Sequence, residues 1–229
     1  MNAATRPFGR GDAQRIADAF RPAMPLGNRF DYYYSLGKLR SDPLYPGVLA
    51  ALRGCDAPLL DLGCGLGLLA HALRLDGQRV AYAGVDVDAG KIARAARAAA
   101  RAGLDAVRFD VVDVEQGLPA HAGSVALLDV LQYLTREQRR QLLADAIDRL
   151  APGARLVIRT GLDDDSGRGR ATRLADRVAH WLGWMVSTPK SYPTRAGLEA
   201  RFRLAGLTAH FTPLHGDTPF NNWLVVATR

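Results

Sequence analysis

Lysine is nearly absent from this chain. Lys38, Lys91 and Lys190 are the only three, so the formal charge of +7 rests almost wholly on arginine. Those arginines are scattered through stretches that also carry Asp and Glu, a pattern that fits a bias toward arginine and alanine first. An acidic partner, such as an acyl carrier protein or an anionic substrate, comes second, and RNA last. Cysteine is also scarce: Cys55 and Cys64 flank one apolar stretch, and nothing at their spacing resembles a metal site or a disulfide framework. No apolar run approaches the roughly 18–20 residues that span a bilayer, and the N-terminus lacks the apolar core of a secretion signal. The expected location is therefore the cytoplasm. With 229 residues, 48% hydrophobic and 23% charged, the chain has the material for one α/β domain plus an N-terminal extension. No internal repeat is visible.

What is present is organised around Leu59-Leu60-Asp61-Leu62-Gly63-Cys64-Gly65-Leu66-Gly67. An apolar run of strand length stops at an acidic residue, crosses three glycines at spacing two and continues as the Ala/Leu-rich start of a helix. Glycines suit such a turn because it needs unusual dihedrals and because side chains would keep a ligand from the backbone. Dinucleotide folds use G-x-G-x-x-G, whereas Leu68 stands where the third glycine would be. Asp61 would repel a pyrophosphate but suits a ligand carrying an ammonium and a sulfonium. Cys64 reads as a small residue that fits the loop, not as a nucleophile.

The same alternation recurs along the chain. Arg79–Val85 ends at Asp86-Val87, Ala106–Val112 at Asp113-Val114 and Ser124–Leu128 at Asp129; Arg155–Thr160, Leu207–Thr212 and Asn222–Thr228 complete a set of seven strands. Helices are expected over Ala13–Phe20, Val48–Arg53, from the glycine loop to about Leu75, over Ala89–Ala102, after a capping box at Thr135-Arg-Glu-Gln138, over Arg170–Met185 and over Arg195–Leu204. Residues 1–12 read as a frayed tail. The acidic run Asp163–Asp165 reads as a solvated capping loop, and no metal site is expected.

The Asp61-to-Gly67 stretch resembles the first motif of class I S-adenosylmethionine-dependent methyltransferases, and the resemblance extends over about residues 45–229. It implies an α/β, Rossmann-like seven-stranded, mostly parallel sheet with an antiparallel last strand, flanked by helices placed between the first five strands. Residues 1–45 would be an extension or lid and residues 46–229 the methyltransferase domain. It implies S-adenosylmethionine as cofactor, held by Asp61, Gly63, Cys64, Gly65 and Gly67, with Asp86 and Val87 at the ribose, Asp113 and Val114 at the adenine and Leu128 beside the methionine portion. Gln132 and Tyr133 would face the transferred methyl. The tyrosine-rich segment 29–46 would bring Tyr33, Tyr34, Lys38 and Arg40 over the substrate, and the insertion after the fifth strand would bring Trp181, Trp184 and His180.

The expected function is methyl transfer to a small-molecule or carrier-bound acceptor, aromatic or carboxylate in character. The alternatives are an RNA methyltransferase, opposed by the lack of an Asn/Asp-Pro-Pro-aromatic run at Asp129–Gln132, and a non-catalytic cofactor-binding scaffold, opposed by the intact Asp61, Asp86 and Asp113. If a base is used, His180, His215, Tyr33 and Lys38 are the candidates.

Overall fold

The computed structural model describes residues 6–24, 27–163, 190–216 and 221–229. The apolar runs form one seven-stranded sheet: β1 (Leu59–Leu62), β2 (Tyr82–Asp86), β3 (Val107–Val111), β4 (Ser124–Leu128), β5 (Leu156–Gly161), β6 (Thr208–Pro213) and β7 (Asn222–Thr228). Their order across the sheet is β3-β2-β1-β4-β5-β7-β6. The first five strands run parallel, and β7 enters antiparallel between β5 and β6. β1 and β2 are buried along their whole length, as parallel strands covered on both faces must be.

Alternation along β1 divides the core. Leu59 faces one layer with α1 (Arg10–Asp18), α3 (Leu44–Leu52) and α4 (Leu68–Leu75). Leu60 and Leu62 face the other, with α6 (Arg136–Asp148) and α7 (Arg195–Leu204). α5 (Ala89–Arg101) joins the first layer through Ala98. The capping box at the start of α6 forms as the sequence implies: Gln138 N donates to Thr135 Oγ1 at 3.3 Å, and Thr135 N to Gln138 Oε1 at 2.9 Å.

Four regions differ from expectation. The tyrosine-rich segment is a helix, α2 (Phe30–Ser41), whose buried residues are Ser35 and Leu39. Its helical period is masked because Phe30, Tyr33 and Tyr34 point to solvent, and its place is set by long-range contacts. α1 begins at Arg10, inside the presumed tail, because Ala13, Ile16 and Ala17 give it a buried face. α3 starts at Leu44, since Pro46 falls in the first turn, where a missing N–H has no helical partner to lose. Between β3 and β4, where the resemblance implies a helix but the residues themselves read as a loop at Leu118-Pro119, residues 112–123 hold no helix. Here Gly117 and Pro119 break any helical run. The expected helix Arg170–Met185, with His180, Trp181 and Trp184, lies outside the described residues.

Candidate active site

β1, β2 and β4 end at the same sheet edge, so the glycine loop, Asp86 and the Asp129 turn converge on one crevice. The loop is fixed first. Gly63 N and Cys64 N both donate to Val85 O, at 2.8 and 2.9 Å, and Gly65 N donates to Asp86 Oδ2 at 2.9 Å. Asp86 Oδ1 accepts from Asp88 N at 3.0 Å. Gly65 has φ +57°, and a Cβ there would meet nothing within 4 Å: the backbone turns left-handed beside open space. Gly67 is required for a different reason, since a Cβ would come within 2.5 Å of the Phe109 ring.

Asp61 is the decisive side chain. Only 2% exposed, it accepts from the Tyr82 hydroxyl through Oδ2 at 2.6 Å, while Oδ1 has no hydrogen-bond partner. Burial, moderated by Tyr82 and reinforced by the nearby Asp86 charge, pushes its carboxyl up to about 7. A buried acceptor without a donor is costly, so this oxygen fits an incoming cationic donor. Cys64 is held as a thiol: burial, with Asp61 and Asp86 beside it, raises its pKa far above the ordinary value.

The remaining cofactor candidates lie on the same rim. Val87 follows Asp86 and is 67% exposed, a large apolar surface suited to covering a ring. Val114 and Leu128 are half-buried. Asp113 binds its own turn, accepting from Glu115 N and from Gln116 Nε2, both at 2.9 Å. One lone pair on each oxygen is thereby taken, leaving the second for a further donor.

Asp129 leaves β4 with φ +61°, an uncommon conformation for a residue with a side chain. Its carboxylate receives Arg159 from β5 and, at 3.3 Å, Lys38 from α2. Lys38 also meets Asp42 at 3.1 Å, and Arg159 Nη2 donates to both oxygens of Asp42, at 3.0 and 3.1 Å. Two cations and two anions thus close a neutral quartet across α2, β4 and β5. Burial opposes the Lys38 charge, but Asp129 and Asp42 outweigh it and hold its pKa above the usual lysine range. Burial likewise opposes the Asp42 charge, and Lys38 and Arg159 reverse this to hold its pKa below the usual value.

Sequence reasoning singles out Lys38 but misses Asp42, Asp129, Arg159 and Tyr82. The one visible signal is Arg159, a charge inside the apolar run Leu156-Val157-Ile158-Arg159. Tyr34 sits one turn before Lys38 on α2 and is 44% exposed; Tyr33 is 59% exposed, and Arg40 is also exposed. Gln132 and Tyr133 form a short 3-10 turn after β4. The turn is held by Arg139, which donates to Leu131 O at 3.2 Å and to Leu134 O at 3.3 Å. The Gln132 carbonyl accepts from Lys190 N at 2.8 Å. His215 is half-buried, its Nδ1 2.8 Å from Gly216 O.

Residues 59–153, which contain the glycine loop, Asp86, Asp113 and the β4 turn, match the family model of a methyltransferase domain. This stretch is a methyltransferase domain. The chain is accordingly an enzyme, and its strand order with an antiparallel β7 is the class I methyltransferase fold. The chain is similar in structure to magnesium protoporphyrin IX methyltransferase from Synechocystis PCC 6803 with bound SAH, at 16% identity and TM-score 0.63, over 94% of this chain and 93% of that one. It is similar also to an O-methyltransferase family protein from Burkholderia thailandensis, at 18% identity and TM-score 0.62, over 96% of this chain and 68% of that one. A third likeness is to an O-methyltransferase family 2 protein from Planctomyces limnophilus DSM 3776 in complex with apigenin, at 20% identity and TM-score 0.59, over 95% of this chain and 57% of that one. At these identities the likeness establishes the fold. No curated protein sequence matches the chain significantly.

Proposed function

We propose that this methyltransferase uses S-adenosylmethionine and transfers its methyl group to a small aromatic acceptor whose oxygen is already an anion at working pH. The observation that carries the cofactor is the unpartnered, buried Asp61 Oδ1 beside a left-handed glycine loop. The ammonium of the cofactor's amino-acid end is the donor that oxygen lacks, and the lone pairs left on Asp86 take the ribose hydroxyls. Val87 and Val114 cover the adenine, with Asp113 as the acceptor for its amino group. When bound, the cofactor supplies a methyl group on a sulfonium, displaced in line, so alignment and exclusion of water do most of the work.

The acceptor reading rests on α2. Tyr33 and Tyr34 present aromatic faces, and Lys38 beside Tyr34 reaches the end of β4. Three of the described histidines sit away from that end. His71 is buried against Phe20 with its pKa pushed down to about 4 by burial, His121 precedes β4, and His210 is exposed on the edge strand β6. An aromatic acid or acidic phenol requires no base. A carrier-bound thioester whose aromatic ring keeps an acidic phenol is the larger form of the phenolic acceptor.

Calorimetric titration with S-adenosylmethionine and, separately, S-adenosylhomocysteine tests the cofactor, with saturable binding of both expected. Absence of binding by either overturns the proposal. Methyl transfer to a panel of aromatic acids, phenols and aliphatic amines then tests the acceptor, and activity confined to the amines would contradict it.

A further inference from the structure

A second concavity, of about 470 Å³, opens between the link that follows α1 and the outer face of α5. It is separate from the crevice: Arg97 and Arg101 lie about 12 and 18 Å down α5 from the end that follows Asp86, at the helical rise per residue. Arg94, Arg97 and Arg101 line it from α5, and Arg21 lines it from the link. Their spacing of three and four residues puts the three α5 guanidiniums on one helix face, where like charges repel. Among the described residues of the lining, Asp31 is the only carboxylate.

That carboxylate does not balance the set. Asp31 Oδ2 lies 3.1 Å from Arg94 Nε, yet this nitrogen has no hydrogen bond. Arg101 straps the link by donating to Ala19 O at 2.9 Å and to Arg21 O. Arg21 pairs with Asp18 and lies over the Tyr32 ring. Arg97 is exposed and, among the described residues, meets no carboxylate. The floor between these charges is apolar, with Phe20, Pro22, Phe30 and Ala98.

We infer that this pocket binds a small phosphate monoester, its organic body on the apolar floor and its phosphate against Arg97, Arg94 and Arg101. The volume lies within the range of small-molecule sites, and forked guanidiniums match phosphate oxygens two at a time. The site is independent of the cofactor crevice and of the methyl acceptor.

Titration of the full chain with phenyl phosphate and with inorganic phosphate, at low salt, tests this. Phenyl phosphate is expected to saturate the protein, to bind about tenfold more tightly than inorganic phosphate because it also covers the apolar floor, and to weaken as salt rises. Saturating S-adenosylhomocysteine should leave its affinity unchanged. Arg97→Ala should weaken phenyl phosphate about tenfold or more and leave S-adenosylhomocysteine binding as it was, whereas Arg203→Ala, an exposed arginine on α7, should change neither. Failure of phenyl phosphate to saturate, its displacement by S-adenosylhomocysteine, or undiminished binding by Arg97→Ala would each overturn the assignment. Because S-adenosylhomocysteine is titrated separately, a protein that lacks cofactor binding still reports on this pocket.

Discussion

The two ends of α2 meet the body of the protein through charge in opposite ways. At the C-terminal end, Lys38 and Asp42 join Arg159 and Asp129 in a quartet that sums to zero, with Arg159 and Asp42 buried and Lys38 and Asp129 half-buried. At the N-terminal end, Asp31 faces a pocket lined by four arginines. The first cluster balances its own charges and acts as architecture, tying the helix to the strands that carry the crevice, with Lys38 at its accessible edge. The second is left with excess charge of one sign beside an open cavity. Asp61 belongs with the second kind: its Oδ1 is buried and has no donor among the described residues. Charges that close among themselves hold the fold, and charges left open mark where ligands enter.

Breaking the closed cluster should have the largest effect. Arg159 is 3% exposed, and Arg159→Met takes a buried guanidinium from both the buried Asp42 and the half-buried Asp129. A loss of about 3–5 kcal/mol in urea unfolding is expected; a loss under about 1 kcal/mol would mean that the quartet is not structural. Lys38→Met, which removes a more accessible member, should destabilise less, by about 1 kcal/mol, and an effect equal to that of Arg159→Met would contradict the division of labour. Arg97→Met in the open pocket should shift stability by no more than about 0.5 kcal/mol, or raise it slightly by relieving repulsion. If it destabilises as much as Lys38→Met, the two regions do not differ in kind.

pH separates the clusters further. The Asp42 pKa is depressed in the folded state, so its contribution is present above the unfolded carboxyl pKa and is lost as pH falls through the lowered value. The Lys38 pKa is raised, so its contribution is full below the unfolded lysine pKa and is lost as pH rises through the raised value. The quartet should therefore hold between about pH 4 and about pH 10. Asp61 runs the other way. Its pKa is raised to about 7, so the stability tied to its protonated form is present below about pH 4 and lost as pH rises to about 7. Asp61→Asn should remove that dependence and stabilise the ligand-free protein at neutral pH, as thermal melts at pH 5 and pH 8 would show. An unaltered melting profile would mean that Asp61 is not strained in the folded state.

These contrasts also explain what could be read from the sequence. The apolar runs that end in Asp61, Asp86 and Asp129 show β1, β2 and β4 directly, because fully buried parallel strands leave continuous hydrophobic stretches. Ser124–Leu128, Arg195–Leu204 and Asn222–Thr228 have the boundaries the sequence implies. α2 is hidden because Phe30, Tyr33 and Tyr34 lie outward and its anchors, Asp129 and Arg159, are far along the chain. The absence of a helix between β3 and β4 follows from Gly117 and Pro119, so the loop read at Leu118-Pro119 holds against the regular strand–helix alternation that the resemblance implies. The quartet joins positions 38, 42, 129 and 159, and no local pattern announces a cluster of that range. The Tyr82–Asp61 bond depends on the β1–β2 register, which pairs Asp61 with Gly84 and leaves room for the Tyr82 hydroxyl to reach across.

The claim that an open buried charge marks a ligand site is tested most directly by titrating S-adenosylhomocysteine into the wild-type protein and into Asp61→Asn from about pH 5 to about pH 8. Wild-type affinity should rise until about pH 7, as Asp61 becomes a carboxylate able to take the ligand's ammonium. The variant should bind about tenfold more weakly or worse at neutral pH and show no such rise. Equal affinity and equal pH dependence in the two proteins would contradict the account.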